Sequence, residues 1–393
     1  MMKAMLVGKE WFPNQEGGLN RYFYGEVCSL PAVGVSGTAL VTSVRPGQTA
    51  PLELRGMARD GAPLIERWRG ARREALRSFN EGVDVVNSHF ALYAYPWVRS
   101  MCSRTPLVIN FQGPYSEEMR AETPAASSRY RVLLARHIEH TVYRRADMVI
   151  TLSQAFASLA VGTYGIPANK IRVIPGAIEP QTYLSAPGRE EARDRLGWPQ
   201  DRTILLAVRR LARRMGLENL IDAVNEVRRQ CPDVLLLIGG KGAIHDELQQ
   251  RITERGLTNH VRLLGFVADT ALPLAYASAD VTVVPTVSLE GFGLITAESL
   301  LCGTPVMGTP VGGTPEILTG LTTRLLFKGT DSSAIAEGLC EALCNRSALP
   351  SAEECRAYAM RYAWSEVAPT IRNTFEDAIA ARTGSSAGIG SGS

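Results

Sequence analysis

The chain has 393 residues, 45% hydrophobic and 21% charged, with a net charge of +3. That length suits two domains, each able to bury a core of its own, and the small net charge gives no argument for nucleic acid as a partner. No stretch reaches the roughly 18 apolar residues of a membrane-spanning helix, and the seven cysteines, odd in number and without a C-x-x-C pair, read as reduced thiols of a cytoplasmic protein.

The opening segment holds only a short apolar run before Lys9 and Glu10, which reads as a first strand over 4–8 rather than a leader peptide. Gly17 and Gly18 make a turn before a helix that opens near Leu19. The unpaired N–H groups of such a helix start suit phosphate, although the spacing is not the G-x-G-x-x-G of a dinucleotide site. Further short apolar runs lie at 38–43, 83–89, 106–113, 147–153 and 171–176, as expected of parallel strands buried on both faces. Amphipathic stretches such as 130–146 separate several of them and predict helices. His89 and Gln112 fall where the strands at 83–89 and 106–113 end. His137 and His140 share a helix face, but no carboxylate pattern completes a metal site there. The first 185 residues carry 21 Lys/Arg against 15 Asp/Glu. The run at 66–77 reads either as a solvated helix face or as a surface for an anionic acceptor or membrane.

The rhythm breaks over 179–202, a polar stretch with three prolines that reads as a linker with one short helix. It restarts with strands at 203–208, 234–240, 261–266, 281–285 and 304–309, followed by helical patterns at 334–345 and 366–382. The predicted architecture is α/β: two Rossmann-like, doubly wound parallel-sheet domains facing across a cleft. The expected divisions are 1–180, 181–365, a helix at 366–383 that packs back on the N-terminal domain, and a disordered Gly/Ser-rich tail at 384–393.

Ligands of such sheets bind beyond the carboxyl ends of strands, and three segments there carry chemistry. After the strand at 203–208, Arg209, Arg210, Arg213 and Arg214 crowd one loop, an arrangement that repels itself unless an anion is expected. After the strand at 234–240, Gly239, Gly240 and Gly242 form either a ligand-approach turn or a plain tight turn. After the strand at 281–285, Glu290 and Glu298 bracket seven residues, with Glu290 on a loop and Glu298 on the helix that follows. The amides of Phe292, Gly293 and Leu294 sit at that helix start, ready for a diphosphate, while each carboxylate can accept from hydroxyls on either side of it.

These segments, with 144–154, 171–179, 261–267 and 290–318, resemble the retaining GT-B glycosyltransferases of family four (glycosyl transferases group 1) over nearly the whole chain. The resemblance implies that Glu290 binds donor-sugar hydroxyls, Glu298 the nucleotide ribose, and Phe292, Gly293 and Leu294 the diphosphate. Arg210 matches the arginine that stabilises the leaving phosphate, with Arg214 beside it. Gly17 and Gly18 would lie against the diphosphate, and Gly240, Phe266 and Val267 would border the donor. Arg210, Glu290 and His89 are the expected catalytic set, and Arg21 and Gln112 the expected acceptor contacts. Two positions depart from the family pattern: Met215 stands where a lysine is usual, and Gln112 where a histidine often is.

The implied activity is transfer of a hexose from a UDP- or GDP-sugar to an acceptor hydroxyl, with retained configuration and no metal or other cofactor. The acceptor is a sugar, a lipid-linked glycan or a small metabolite, with peripheral contact at the inner membrane face left open. The alternatives are a non-catalytic nucleotide-sugar-binding subunit and another GT-B enzyme such as a nucleotide-sugar epimerase.

Overall fold

The computed structural model describes residues 1–101, 105–122 and 129–387. The chain divides into two compact units, Met1–Ala177 with Trp364–Ser393, and Ile178–Ala363.

In the first unit seven strands form one parallel sheet: β1 (Met2–Glu10), β2 (Val35–Thr42), β3 (Glu53–Gly56), β4 (Val85–Ser88), β5 (Leu107–Phe111), β6 (Met148–Thr151) and β7 (Ile171–Val173), in the order β3-β2-β1-β4-β5-β6-β7. Strands β4, β5 and β6 are buried along their whole length. This is the expected signature of strands covered on both faces. Against them pack Tyr93, Trp97, Ile138, Val142 and Phe156. Strand β3 has no apolar run to betray it. Its buried residue is Arg55, held by Glu53 and Glu81, and an edge strand needs less apolar surface than a central one. The helix Leu64–Asn80 buries Gly70, Ala71, Glu74, Ala75 and Ser78 and turns Arg69, Arg72, Arg73 and Arg77 outward.

The helix Trp364–Ala387 belongs to this first unit. Trp364 stacks against Tyr22 at 5.1 Å between ring centroids, Ile371, Phe375 and Ala378 are buried, and Arg172–Asp377 and Arg382–Asp147 tie its flank down. The helix continues through 384–387, four residues into the expected disordered tail. Once the packed turns have nucleated it, each further residue adds a hydrogen bond at little cost. Positions 388–393 of that tail lie outside the described residues.

In the second unit five strands form a parallel sheet: β8 (Thr203–Val208), β9 (Val234–Gly239), β10 (Val261–Gly265), β11 (Val281–Val284) and β12 (Val306–Gly308), in the order β10-β9-β8-β11-β12. The stretch expected as a linker at 179–202 is instead a docked part of this unit, with helices Pro180–Leu184 and Arg189–Leu196. Its anchor is the buried Arg193, which donates to the Ser278 carbonyl at 2.9 Å and to Asp280 at 2.8 Å. A buried guanidinium with this many acceptors is a fixed strut, which polarity alone does not reveal.

Each sheet reverses its winding once, between β1 and β4 in the first unit and between β8 and β11 in the second. Such switch points leave a crevice beyond the carboxyl ends of the strands. The loops after these four strands carry Gly17, Gly18, His89, Arg210 and Glu290, while Gln112, Gly240 and Phe266 follow β5, β9 and β10.

Candidate functional site

In the second unit, the residue that leaves β8 first is Arg209, and it turns inward. Its side chain is buried. The Nη2 group donates to Glu290 Oε2 and, at 3.0 Å, to the Thr286 hydroxyl, and it lies 3.0 Å from Met215 Sδ. The Thr286 hydroxyl donates to the same carboxylate oxygen at 2.7 Å. Burial by itself would raise the Glu290 pKa. The charge and hydrogen bonds of Arg209, the Thr286 hydroxyl and the nearby Arg214 outweigh it and hold the carboxyl below its ordinary range. The site therefore contains a desolvated, ionised carboxylate whose cation comes from Arg209, one of the four arginines of the loop but not of the expected catalytic set. The signal for it was the double arginine at 209–210, since only one of the two can follow the strand inward.

Backbone packing sets the position of Glu290. Leu289, just before it, has φ +57°, a left-handed conformation that costs an L-residue roughly 1–2 kcal/mol. Arg214 donates to the Leu289 carbonyl at 3.1 Å, and its own carbonyl accepts from Val287 at 2.9 Å. On the other side, Gly313 N–H donates to the Glu290 carbonyl at 3.0 Å, and a β-carbon on Gly312 would meet that carbonyl oxygen at 1.9 Å. The Gly-Gly pair at 312–313 is thus the seat for the glutamate loop.

The helix Leu294–Leu301 starts at Gly293 with no side-chain cap and no acidic residue in its first turn. Its leading N–H groups therefore attract an anion. Phe292 directs its ring inward against Tyr362 at 5.1 Å, so what it can offer a ligand is backbone. Glu298 is wholly buried and accepts from the Tyr276 hydroxyl at 2.9 Å. Arg210 is exposed on the loop after β8, Arg213 is engaged by Glu218 and Glu247, and Arg214 is half-buried over the glutamate loop. Phe266 exposes 43% of its surface with the Lys241 ammonium 4.7 Å above its ring, and Val267 packs on the end of β9 at Gly239. Gly240 lies at a close approach of two backbones. Its N–H donates to the Gly265 carbonyl at 2.6 Å, and a β-carbon there would meet the Arg209 carbonyl at 1.8 Å. It is glycine because two backbones touch, which is the tight-turn reading.

In the first unit, the exposed Gly17 and Gly18 begin the helix Gly18–Ser29, again without a side-chain cap, and Arg21 is half-buried one turn on. At the end of β4, His89 is buried, with Nε2 3.0 Å from Glu26 Oε2 and Nδ1 3.4 Å from the Gln112 amide nitrogen. Glu26 also accepts from Asn87 and Asn110, and Gln112 donates to Asn110 Oδ1 at 2.9 Å. His89 and Gln112, each at the end of its own strand, meet, and both ring nitrogens of His89 face partners. Glu26 was not foreseen. Its signal was an acid on the buried face of a helix, in step with Tyr22 and Phe23. A cavity of about 80 Å³ opens beside His89 and Gln112.

The family described as "Glycosyl transferases group 1" matches residues 188–362, and "Glycosyltransferase Family 4" matches residues 17–182. The chain is 31% identical over 284 residues to a D-inositol 3-phosphate glycosyltransferase of Kineococcus radiotolerans, covering 69% of this chain and 64% of that protein. It is 30% identical over 219 residues to a GDP-mannose-dependent alpha-(1-6)-phosphatidylinositol monomannoside mannosyltransferase of Mycolicibacterium smegmatis, covering 53% and 57%. The chain thus spans somewhat over half the length of these relatives. Among solved structures, it superposes on the Anabaena protein HepE in complex with UDP and glucose with a TM-score of 0.75, at 20% identity, over 96% of this chain and all of that one. Among the described residues no helix is long and apolar enough to cross a membrane, and no group of three or more His, Cys, Asp or Glu is placed to hold a metal ion.

Proposed function

Because the chain belongs to the GT-B glycosyltransferases of group 1 and family 4, we propose that it moves a hexose from a UDP- or GDP-sugar to an acceptor hydroxyl, retaining the anomeric configuration and using no metal ion. The observation that carries this reading is the buried, ionised Glu290, locked to Arg209 and followed within four residues by an uncapped helix start. A carboxylate kept charged out of water is a strong acceptor for sugar hydroxyls, and the adjoining amides suit the diphosphate.

In this proposal the bond between the sugar C1 and the diphosphate oxygen breaks first, and the electron pair leaves with the phosphate. Arg210, with the amides of Gly293 and Leu294, stabilises the charge that grows there, the work a divalent cation would otherwise do. Glu290 holds the sugar hydroxyls and favours the oxocarbenium-like centre. The acceptor oxygen bonds to C1 on the same face, and its proton passes to the departing phosphate oxygen. Glu298 takes the ribose, and the exposed ring of Phe266 offers the base a stacking surface. Within the first unit, Gly17, Gly18 and Arg21 offer donors at a helix start, and Gln112 and the His89–Glu26 pair shape the acceptor pocket. Since both ring nitrogens of His89 are engaged, its part is to position rather than to exchange a proton. UDP is what HepE binds, and GDP-mannose is what the mycolicibacterial relative depends on, so both bases belong in the test.

The test is incubation of the full chain with UDP- and GDP-sugars without any acceptor. Slow release of nucleoside diphosphate is expected. Tight binding without release supports a non-catalytic subunit instead, and interconversion of free nucleotide sugars an epimerase.

A further inference from the structure

The cavity of the first unit has a chemical bias of its own. It lies past the ends of β4 and β5, beside His89 and Gln112, and its walls include the aromatic rings of Phe90, Tyr115 and Tyr143. Two carboxylates, Glu118 and Glu139, line the same small space, and among the described residues no lysine or arginine does. Its volume of about 80 Å³ corresponds to room for roughly five to eight waters, which is the scale of one substituted ring entering edge-on.

Glu139 is the decisive group. It is buried on the inner face of the helix Arg129–Tyr143. One carboxylate oxygen, Oε2, accepts from the Tyr164 hydroxyl at 2.9 Å and from the Ser116 N–H at 3.3 Å. The other, Oε1, is buried and has no hydrogen-bond partner among the described residues. An unsatisfied buried acceptor is costly, and a carboxylate more so than a neutral group. A hydroxyl from a ligand would satisfy the hydrogen bond but not the charge. An ammonium group satisfies both, and the surrounding ring faces favour a cation as well. A phosphate in the same space would meet the Glu139 carboxylate as a like charge.

We propose that this cavity takes the acceptor, and that the acceptor carries a protonated amine beside its reacting hydroxyl, as an amino sugar or aminocyclitol does, with Glu139 as the residue that selects it. The proposal rests on the transferase reading only for the word acceptor; the preference for an amine stands on the cavity alone. Burial pushes the Glu139 carboxyl above its ordinary range, and an ammonium beside it favours the ionised form.

Calorimetric titration of the full chain with three probes tests this: methyl glucosaminide, methyl glucoside and glucose 6-phosphate. The amine-bearing probe is expected to bind at least tenfold more tightly than the other two. Glu139→Gln keeps an acceptor for Tyr164 and Ser116 and is expected to abolish that preference, while Glu139→Asp keeps the charge and restores part of it. Equal affinity for all three probes, a preference for the phosphorylated one, or a preference that survives Glu139→Gln overturns the proposal. A misfolded variant is recognised by its thermal transition, and Glu139→Asp then carries the test. Nucleotide release from the donor, read in the same preparations, reports on the transferase reading separately.

Discussion

Arg209 holds Glu290 through a buried ion pair across 81 residues of sequence, with the Thr286 hydroxyl on the same oxygen and Met215 sulfur against the guanidinium. Met215 stands where the family resemblance leads one to expect a lysine. The space beside it is not left without charge, because Arg209 fills it from the strand end. The departure at 215 is therefore paired with a cation one position past the end of β8, and the glutamate remains ionised.

Removing one partner of such a buried pair leaves an uncompensated charge, at a cost of about 3–5 kcal/mol. Arg209→Ala is expected to lose stability on that scale and to abolish transfer. The double variant Arg209→Met, Glu290→Leu is expected to regain most of the stability and none of the activity. Urea unfolding and single-turnover transfer on the same preparations check it; an Arg209→Ala protein of ordinary stability would dissolve the pairing argument.

Arg210 is exposed, so its removal should leave the fold unchanged. If it stabilises the leaving phosphate, Arg210→Ala lowers the transfer rate by at least about a hundredfold, the scale of losing one charged transition-state donor. The reading is the rate at saturating donor. A near-normal value removes Arg210 from the mechanism.

Glu298 is buried and takes the Tyr276 hydroxyl. Glu298→Ala is expected to weaken nucleotide binding while leaving the rate at saturation less affected. Tyr276→Phe removes the oriented hydrogen bond and should weaken binding in the same direction by a smaller factor. Nucleoside diphosphate affinity by titration decides; unchanged affinity in Glu298→Ala contradicts a ribose contact.

Two carboxyls give opposite signs to the pH dependence of stability. Glu290 has a folded pKa below its unfolded one, so its contribution is present above the ordinary carboxylate range and is lost as pH falls through the depressed value. Glu139 has a folded pKa above its unfolded one, chiefly because of burial, with the hydrogen bonds from Ser116 and Tyr164 opposing. Its contribution is complete below the ordinary range and is lost as pH rises through the raised value. Denaturation midpoints against pH should show the acid-side decline flattened in Glu290→Gln and the decline above the ordinary range flattened in Glu139→Gln. Matching profiles for the two variants would refute the assignment.

Gly312→Ala places a β-carbon against the Glu290 carbonyl at a position with φ +58°, so it should cost more than about 1 kcal/mol and loosen the glutamate loop. A drop in denaturation midpoint together with weaker donor binding is the expected pair of results. Donor binding that stays intact would separate the loop's seat from its function.

The sequence by itself determined the parallel strands, because a run such as Val-Leu-Leu-Leu-Ile-Gly at 234–239 has no polar face and so must be covered on both sides. It also singled out strand ends followed by glycines and charges: the 290–298 segment, the arginine loop and the 17–18 turn all lie at switch points of the two sheets. It could not choose between Arg209 and Arg210, because which neighbour turns inward depends on where Thr286 and Glu290 arrive from β11. Nor could it show that Gly240 serves the Arg209 backbone, that 179–202 is docked by Arg193, or that Glu139 keeps an unsatisfied oxygen beside a cavity. Those are relations between residues tens of positions apart, and in parallel sheets neighbours in space are set by crossover connections rather than by local spacing. Periodicity encodes what a segment must bury; only the assembled strand order decides what it is buried against.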